Sequence, residues 1–169
     1  MSGWWAAAFV VQWVLLAVLA VVVIALARQI GVLHLRLAPL GALEVDEEGP
    51  PIGQAPPART AKAPGGTPTL VGGPGPMRLV AFTSSTCPIC EQIVPSIPAA
   101  AAAARLVPQI VSDPDLEAAY GVPGVPFLVV LDGSGIVRSK GTVNSLEQIE
   151  GLIDTALRRI DDASQARAS

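Results

Sequence analysis

Polarity along this chain changes sharply in two places. From Ala6 to Ala27 (AAAFVVQWVLLAVLAVVVIALA) a single polar residue, Gln12, interrupts an uncharged apolar run. A helix of that length is enough to cross a hydrocarbon core of about 30 Å. Trp4 and Trp5 at its start suit the interface, where amphipathic rings collect. A cleaved signal sequence is the rival reading, and Ala25-Leu26-Ala27 has the small residues of a cleavage site. The run is longer than the roughly 7–15 apolar residues of such a signal, however, and no Lys or Arg precedes it. The pattern therefore predicts one transmembrane anchor. RQIGVLHLRL continues it as a juxtamembrane helix to about residue 37, with Arg28 and Arg36 among headgroups and His34 as an interfacial side chain.

The second change separates a segment without periodicity from one that alternates. Asp46, Glu47 and Glu48 form a solvated acidic knot, and proline and glycine make up about half of the stretch from Gly49 to Pro76. Residues 38–76 therefore read as an extended linker, because little apolar surface is available to offset the cost of ordering it. Within it, Arg59 to Lys62 and Pro68 to Val71 can form a small hairpin. From residue 77 to 160 the pattern predicts a folded domain. MRLVAFT (Met77–Thr83) is an apolar strand, Cys87–Arg105 a helix, and Arg105–Val111 a weak strand, since Pro108 would spoil a central ladder position. Asp113 caps a short helix with Pro114 at its first position and Gly121 at its end. FLVVL (Phe127–Leu131) is a buried strand, and DGSG turns the chain into another at Ile136–Lys140. Ser145 opens the last helix, which carries Leu146, Ile149, Leu152, Ile153, Leu157 and Ile160 on one face. Residues 161–169 read as a disordered tail. The order β-α-β-α-β-β-α predicts an α/β sandwich with a right-handed crossover and a closing hairpin.

Composition narrows the function. Among 169 residues the formal charge is −3 and no basic patch is present, which argues against a nucleic-acid partner. Cys87 and Cys90 are the only cysteines, too few for a disulfide-stapled scaffold. A zinc site wants about four ligands, against two cysteines and one distant histidine here. A copper site on the two thiols and a structural disulfide stay open. A cysteine at a helix N-cap has its sulfur among unpaired N–H groups at the positive end of the helix dipole, which favours thiolate. Cys87 is thus the expected nucleophile, with Pro88 at the first helical position. Cys90, one turn on and shielded, is the expected resolving thiol of dithiol exchange. Glu91 reads as a surface residue.

Cys87-Pro88-Ile89-Cys90 after an apolar strand, with Pro95 five residues past the second cysteine, resembles the thioredoxin-like superfamily. In that fold a proline at this offset kinks the active-site helix. YGVPGVPFLVVLDGSGIV (Tyr120–Val137) resembles the fold's cis-proline segment, which makes Pro126, rather than Pro123, the expected cis-proline. The resemblance implies that Val125 and Pro126 hold the backbone of a client chain. Together with the span before it, RQIGVLHLRLAPLGAL and SSTCPIC resemble the MauD family of membrane-anchored accessory proteins of methylamine utilisation. That likeness implies a thiol–disulfide oxidoreductase without a cofactor. Its client would be a cysteine-bearing protein such as an amine dehydrogenase subunit, with an integral-membrane redox partner as a further expectation. It also implies a domain on the extracytoplasmic face of the cell membrane, whereas Arg28 and Arg36 taken alone favour the cytoplasm. Two departures stand out: Ala81 occupies the position of thioredoxin's buried acid, and Thr86 that of the tryptophan before the first cysteine. The rival functions are a reductase of apocytochrome c thiols and a non-catalytic adapter or copper carrier.

Overall fold

The computed structural model describes residues 3–36 and 48–168. The chain divides into two compact units, Met1–Ala38 and Pro39–Ser169. The first is one helix, α1 (Gly3–Arg36). Over Gly3–Val23 its mean hydropathy is 2.7 and none of it is buried, so it is long and apolar enough to be a transmembrane or signal helix. Asp46 and Glu47 lie outside the described residues, while Glu48 is exposed.

The second unit is built on a four-stranded sheet of β3 (Arg78–Phe82), β4 (Val107–Val111), β5 (Phe127–Leu131) and β6 (Val137–Thr142). Their order is β4-β3-β5-β6. β3 and β4 run parallel, whereas β5 is antiparallel to both β3 and β6. β3 and β5 are buried on both faces, which is why Leu79–Phe82 and Phe127–Leu131 read as unbroken apolar runs rather than alternating ones. Pro108 is accommodated because β4 is an edge strand.

Each face of the sheet has its own core. Leu79, Ala81, Leu128 and Val130 pack with Ile93, Ile97, Ala101, Ile149, Leu152 and Ile153 from the helices. Val80, Phe82, Val129 and Leu131 pack with Leu116, Tyr120 and, from the proline-rich segment, Ala61 and Val71. The crossover between β3 and β4 is a helix in two pieces, α2 (Pro88–Ile93) and α3 (Ile97–Ala103). Pro95 sits in a 3₁₀ turn between them, where its missing N–H and its ring interrupt α-helical bonding. α3 ends in a Schellman motif: Leu106 N–H bonds Ala101 O at 2.8 Å and Arg105 N–H bonds Ala102 O at 3.0 Å. This puts Arg105 at φ 58°, a conformation usually left to glycine. α4 (Pro114–Ala119) is capped by the Asp113 carboxylate, which accepts from the Asp115 and Leu116 N–H groups.

Two expectations need correction. The described part of the linker forms the small hairpin its sequence allows and packs into the domain, so only the plain extended tether is set aside. β1 (Arg59–Lys62) and β2 (Pro68–Val71) pair as an antiparallel hairpin, and the segment before them bonds to the sheet edge, Gly53 N–H to Val137 O and Val137 N–H to Gln54 O, each 2.9 Å. Burial holds the Tyr120 phenol above its usual pKa, and the hydroxyl donates to Pro57 O at 3.1 Å. Buried Arg78 donates to the carbonyls of Gly72 and Gly73. The chain there lies so close to the β5–β6 turn that a Cβ on Gly135 would sit 2.6 Å from Gly73 O. The second correction is at the C-terminus, where α5 (Leu146–Ala168) extends through the expected tail. Residues 161–168 contain neither Gly nor Pro, so nothing local stops the helix once its inner face is packed. Leu146, expected on that face, is 43% exposed.

Candidate active site

β3 ends at Phe82 in the middle of the sheet and hands the chain to a short loop, Thr83–Thr86. Thr83 N–H and Oγ1 both bond Val111 O, at 2.9 and 3.2 Å, fixing the loop to β4. Ser84 Oγ accepts the Thr86 N–H at 3.3 Å. Cys87 follows with extended backbone (φ −97°, ψ 109°) as the N-cap of α2, and Pro88 begins the helix. The Cys90 N–H points at Cys87 Sγ from 3.1 Å. That is the N-cap arrangement in which a helix-end N–H stabilises a thiolate once the pair is reduced.

Cys87 and Cys90 are joined in a disulfide, with Cα atoms 5.2 Å apart. The two sulfurs are unequally placed. Cys87 is half-buried, whereas Cys90 is 2% exposed. Facing Cys87 is the turn before β5. The Val125–Pro126 peptide is cis, Pro126 is buried, and the Val125 carbonyl oxygen lies 3.8 Å from Cys87 Sγ. Ile89, 44% exposed, stands outward between the cysteines. The structure thus brings all four expected site residues, Cys87, Cys90, Val125 and Pro126, to one place at the C-terminal end of β3. Pro123 is exposed and its peptide is not among the cis bonds.

Cys90, but not Cys87 or Val125, lines a cavity of about 540 Å³. Its walls include Lys62 and the tip of the β1–β2 hairpin, Thr83–Ser85, Glu91 and Val94. Nothing local signals the hairpin's share of this wall, because residues 62–66 come from a segment whose composition suggests a linker and meet the site only in the folded chain. Among the described residues no group of three or more His, Cys, Asp or Glu is placed to hold a metal ion.

A Cys-X-X-Cys at the start of a helix that follows a central strand, with a cis-proline turn against the first sulfur, defines a thioredoxin-like thiol–disulfide oxidoreductase. Solved structures agree on the fold. A DsbE-type thiol:disulfide interchange protein from Chlorobium tepidum superposes with a TM-score of 0.52 at 18% identity, covering 66% of this chain and 99% of that one. A protein disulfide isomerase homologue from Bacteroides thetaiotaomicron gives 0.52 at 15%, covering 72% and 99%. No protein-family model matches the chain. Sequence relatives are more specific. The methylamine utilization protein MauD of Methylobacillus flagellatus is 33% identical over 91% of this chain and 87% of its own length. That of Methylorubrum extorquens is 31% identical over 86% and 83%, and that of Paracoccus denitrificans 30% over 91% and 90%. The chain belongs to the MauD family.

Proposed function

We propose that this protein is a membrane-tethered oxidoreductase that forms or rearranges disulfides in an extracytoplasmic redox enzyme of amine oxidation, an amine dehydrogenase subunit being the client. The observation that carries the reading is the asymmetry of the disulfide: a half-buried Cys87 beside the Val125 carbonyl, and a Cys90 closed off behind it. A client thiolate attacks Cys87 Sγ, the Cys87–Cys90 bond breaks, and Cys90 leaves as the thiol. A second client thiolate then attacks the client sulfur of the mixed disulfide. This closes the client disulfide and releases Cys87 as thiolate, stabilised by the helix-end N–H groups. The protein has gained two electrons and needs an oxidant, the role assigned to an integral-membrane redox partner. Val125 and Pro126 hold the client backbone, the Val125 carbonyl beside Cys87 accepting a hydrogen bond from an extended chain.

Tethering is supported by the apolar helix, and the extracytoplasmic side by membership of the MauD family and by a disulfide that persists in oxidising compartments. In a host that makes the dehydrogenase, Cys87→Ser should leave client cysteines open to alkylation that are protected in the wild type. Unchanged client protection would remove the proposed role.

A further inference from the structure

The sheet below the cysteines offers Cys90 no acid. β3 places Leu79 and Ala81 among Ile93, Ile97 and Leu128, all buried and apolar. Asp132, the buried acid among the described residues, follows β5 at the far end of the sheet. There Leu131 pairs with Arg78, whereas Phe127 pairs with Phe82 near the cysteines. Its carboxylate is already occupied by Ser134 N–H at 2.8 Å, Ile136 N–H at 2.9 Å and Arg138 Nε at 2.7 Å. Yet Cys90 must lose a proton each time it closes the disulfide and take one up each time it leaves.

The cavity of about 540 Å³ supplies the missing route, since Cys90 is in its wall whereas Cys87 and Val125 are not. Besides Cys90, the ionisable side chains in its wall are Lys62 from β1 and Glu91 from α2. An ammonium group has no lone pair to receive a proton, so the Glu91 carboxyl group is the acceptor in this wall. Cys90 and Glu91 are adjacent in α2 and both line the cavity, Glu91 exposed and Cys90 with only 2% of its surface reachable. The hydroxyls of Thr83, Ser84 and Ser112 in the same wall give water the polar partners it needs there. Asp113, from the cap of α4, lies behind Lys62 and accepts its backbone N–H at 3.0 Å. That bond, with those from Leu116 and Asp115, outweighs partial desolvation and holds the Asp113 carboxyl below its usual range. Asp113 is thus a poorer base than a free carboxylate.

We propose that Glu91 is the proton carrier for Cys90, exchanging its proton through water in this cavity. When a mixed disulfide on Cys87 is resolved, the Cys90 S–H proton passes to Glu91 and the Cys90–Cys87 bond forms. The Cys87–client bond breaks, and the client leaves as thiolate. In the opposite direction Glu91 returns the proton to the departing Cys90. The inference rests on the oxidoreductase reading above.

The test is a two-phase reaction of the reduced full chain in detergent micelles with an aromatic disulfide, dithiobis(nitrobenzoate). Attack by Cys87 releases one thionitrobenzoate in a phase that depends on reagent concentration. Attack by Cys90 releases the second in a phase that does not. Glu91→Gln should slow the second phase by about 10–100-fold near neutral pH, the range of general acid–base effects. The difference should close well above the ordinary thiol pKa of about 8.5, where hydroxide suffices. The first phase should stay within about twofold, and Glu91→Asp should recover part of the second. A Glu91→Gln profile that superimposes on wild type, or a slowing that persists unchanged at high pH, overturns the proposal. Absence of a second release from the wild type would instead overturn the oxidoreductase reading, and the proposal with it.

Discussion

Val71→Ala asks whether the proline-rich segment is part of the domain. Val71 is fully buried in the cluster that contains Val80, Phe82, Leu116 and Tyr120. The substitution removes two methyl groups, or about 1.6 kcal/mol at about 0.8 kcal/mol each. The space left behind adds a cavity penalty, for a total of about 2–3 kcal/mol. Leu70, its neighbour in the hairpin, is 57% exposed, so Leu70→Ala should change stability by less than about 0.5 kcal/mol. Urea unfolding of the full chain in micelles, followed by far-UV circular dichroism, reads the difference. With a slope of about 1–3 kcal/mol per molar, the Val71→Ala midpoint should fall by roughly 1–2 M without a change of slope. If both variants unfold with the wild-type midpoint, the hairpin is a tether after all and does not contribute to the core.

Three other outcomes follow from particular contacts. Arg105→Gly should stabilise the protein by about 0.5 kcal/mol in the same assay, since relief of a left-handed residue, about 1–2 kcal/mol, exceeds the added chain entropy of glycine; a loss of stability would contradict the Schellman geometry. Burial pushes the Asp132 carboxyl up, but hydrogen bonds from Ile136, Arg138 and Ser134 outweigh it and hold the group below its usual pKa. Its contribution is therefore present above the unfolded value of about 3.9 and lost as pH falls through the lower folded value; Asp132→Asn should flatten the acid limb of stability against pH, and an unchanged limb would rule this out. In the reduced protein, iodoacetamide should modify Cys87 at least about tenfold faster than Cys90, because the second sulfur is closed off; equal rates by peptide mapping would contradict the assigned asymmetry.

Local chemistry made much of this molecule legible in advance. FLVVL carries its own burial on both faces, and β5 has the bounds the apolar run predicts. Asp113-Pro114 sets a helix start through its own carboxylate and ring, and Pro95 interrupts a helix wherever that helix packs. The cysteine pair at a helix start and the cis Val125–Pro126 bond come from equally short motifs. What stayed hidden depends on partners distant in the chain. Proline and glycine report the local freedom of residues 49–76, but not that Gly53 N–H bonds Val137 O and Val137 N–H bonds Gln54 O across the fold. Periodicity stops at Ile160 because the helix has no further apolar face to bury, although its backbone continues to Ala168. Glu91 reads as a surface side chain from sequence, and only the cavity that joins it to Cys90 gives it a use.

The central claim is that Cys87 bonds the client in the mixed disulfide, while Cys90 is the thiol it exchanges with inside the protein. Cys90→Ser, expressed in cells that make the client and analysed on non-reducing gels, tests it most directly. The account predicts protein-sized adducts through Cys87 that disappear on reduction, and few or none with Cys87→Ser. Adducts that form mainly through Cys90, or with neither variant, would contradict it.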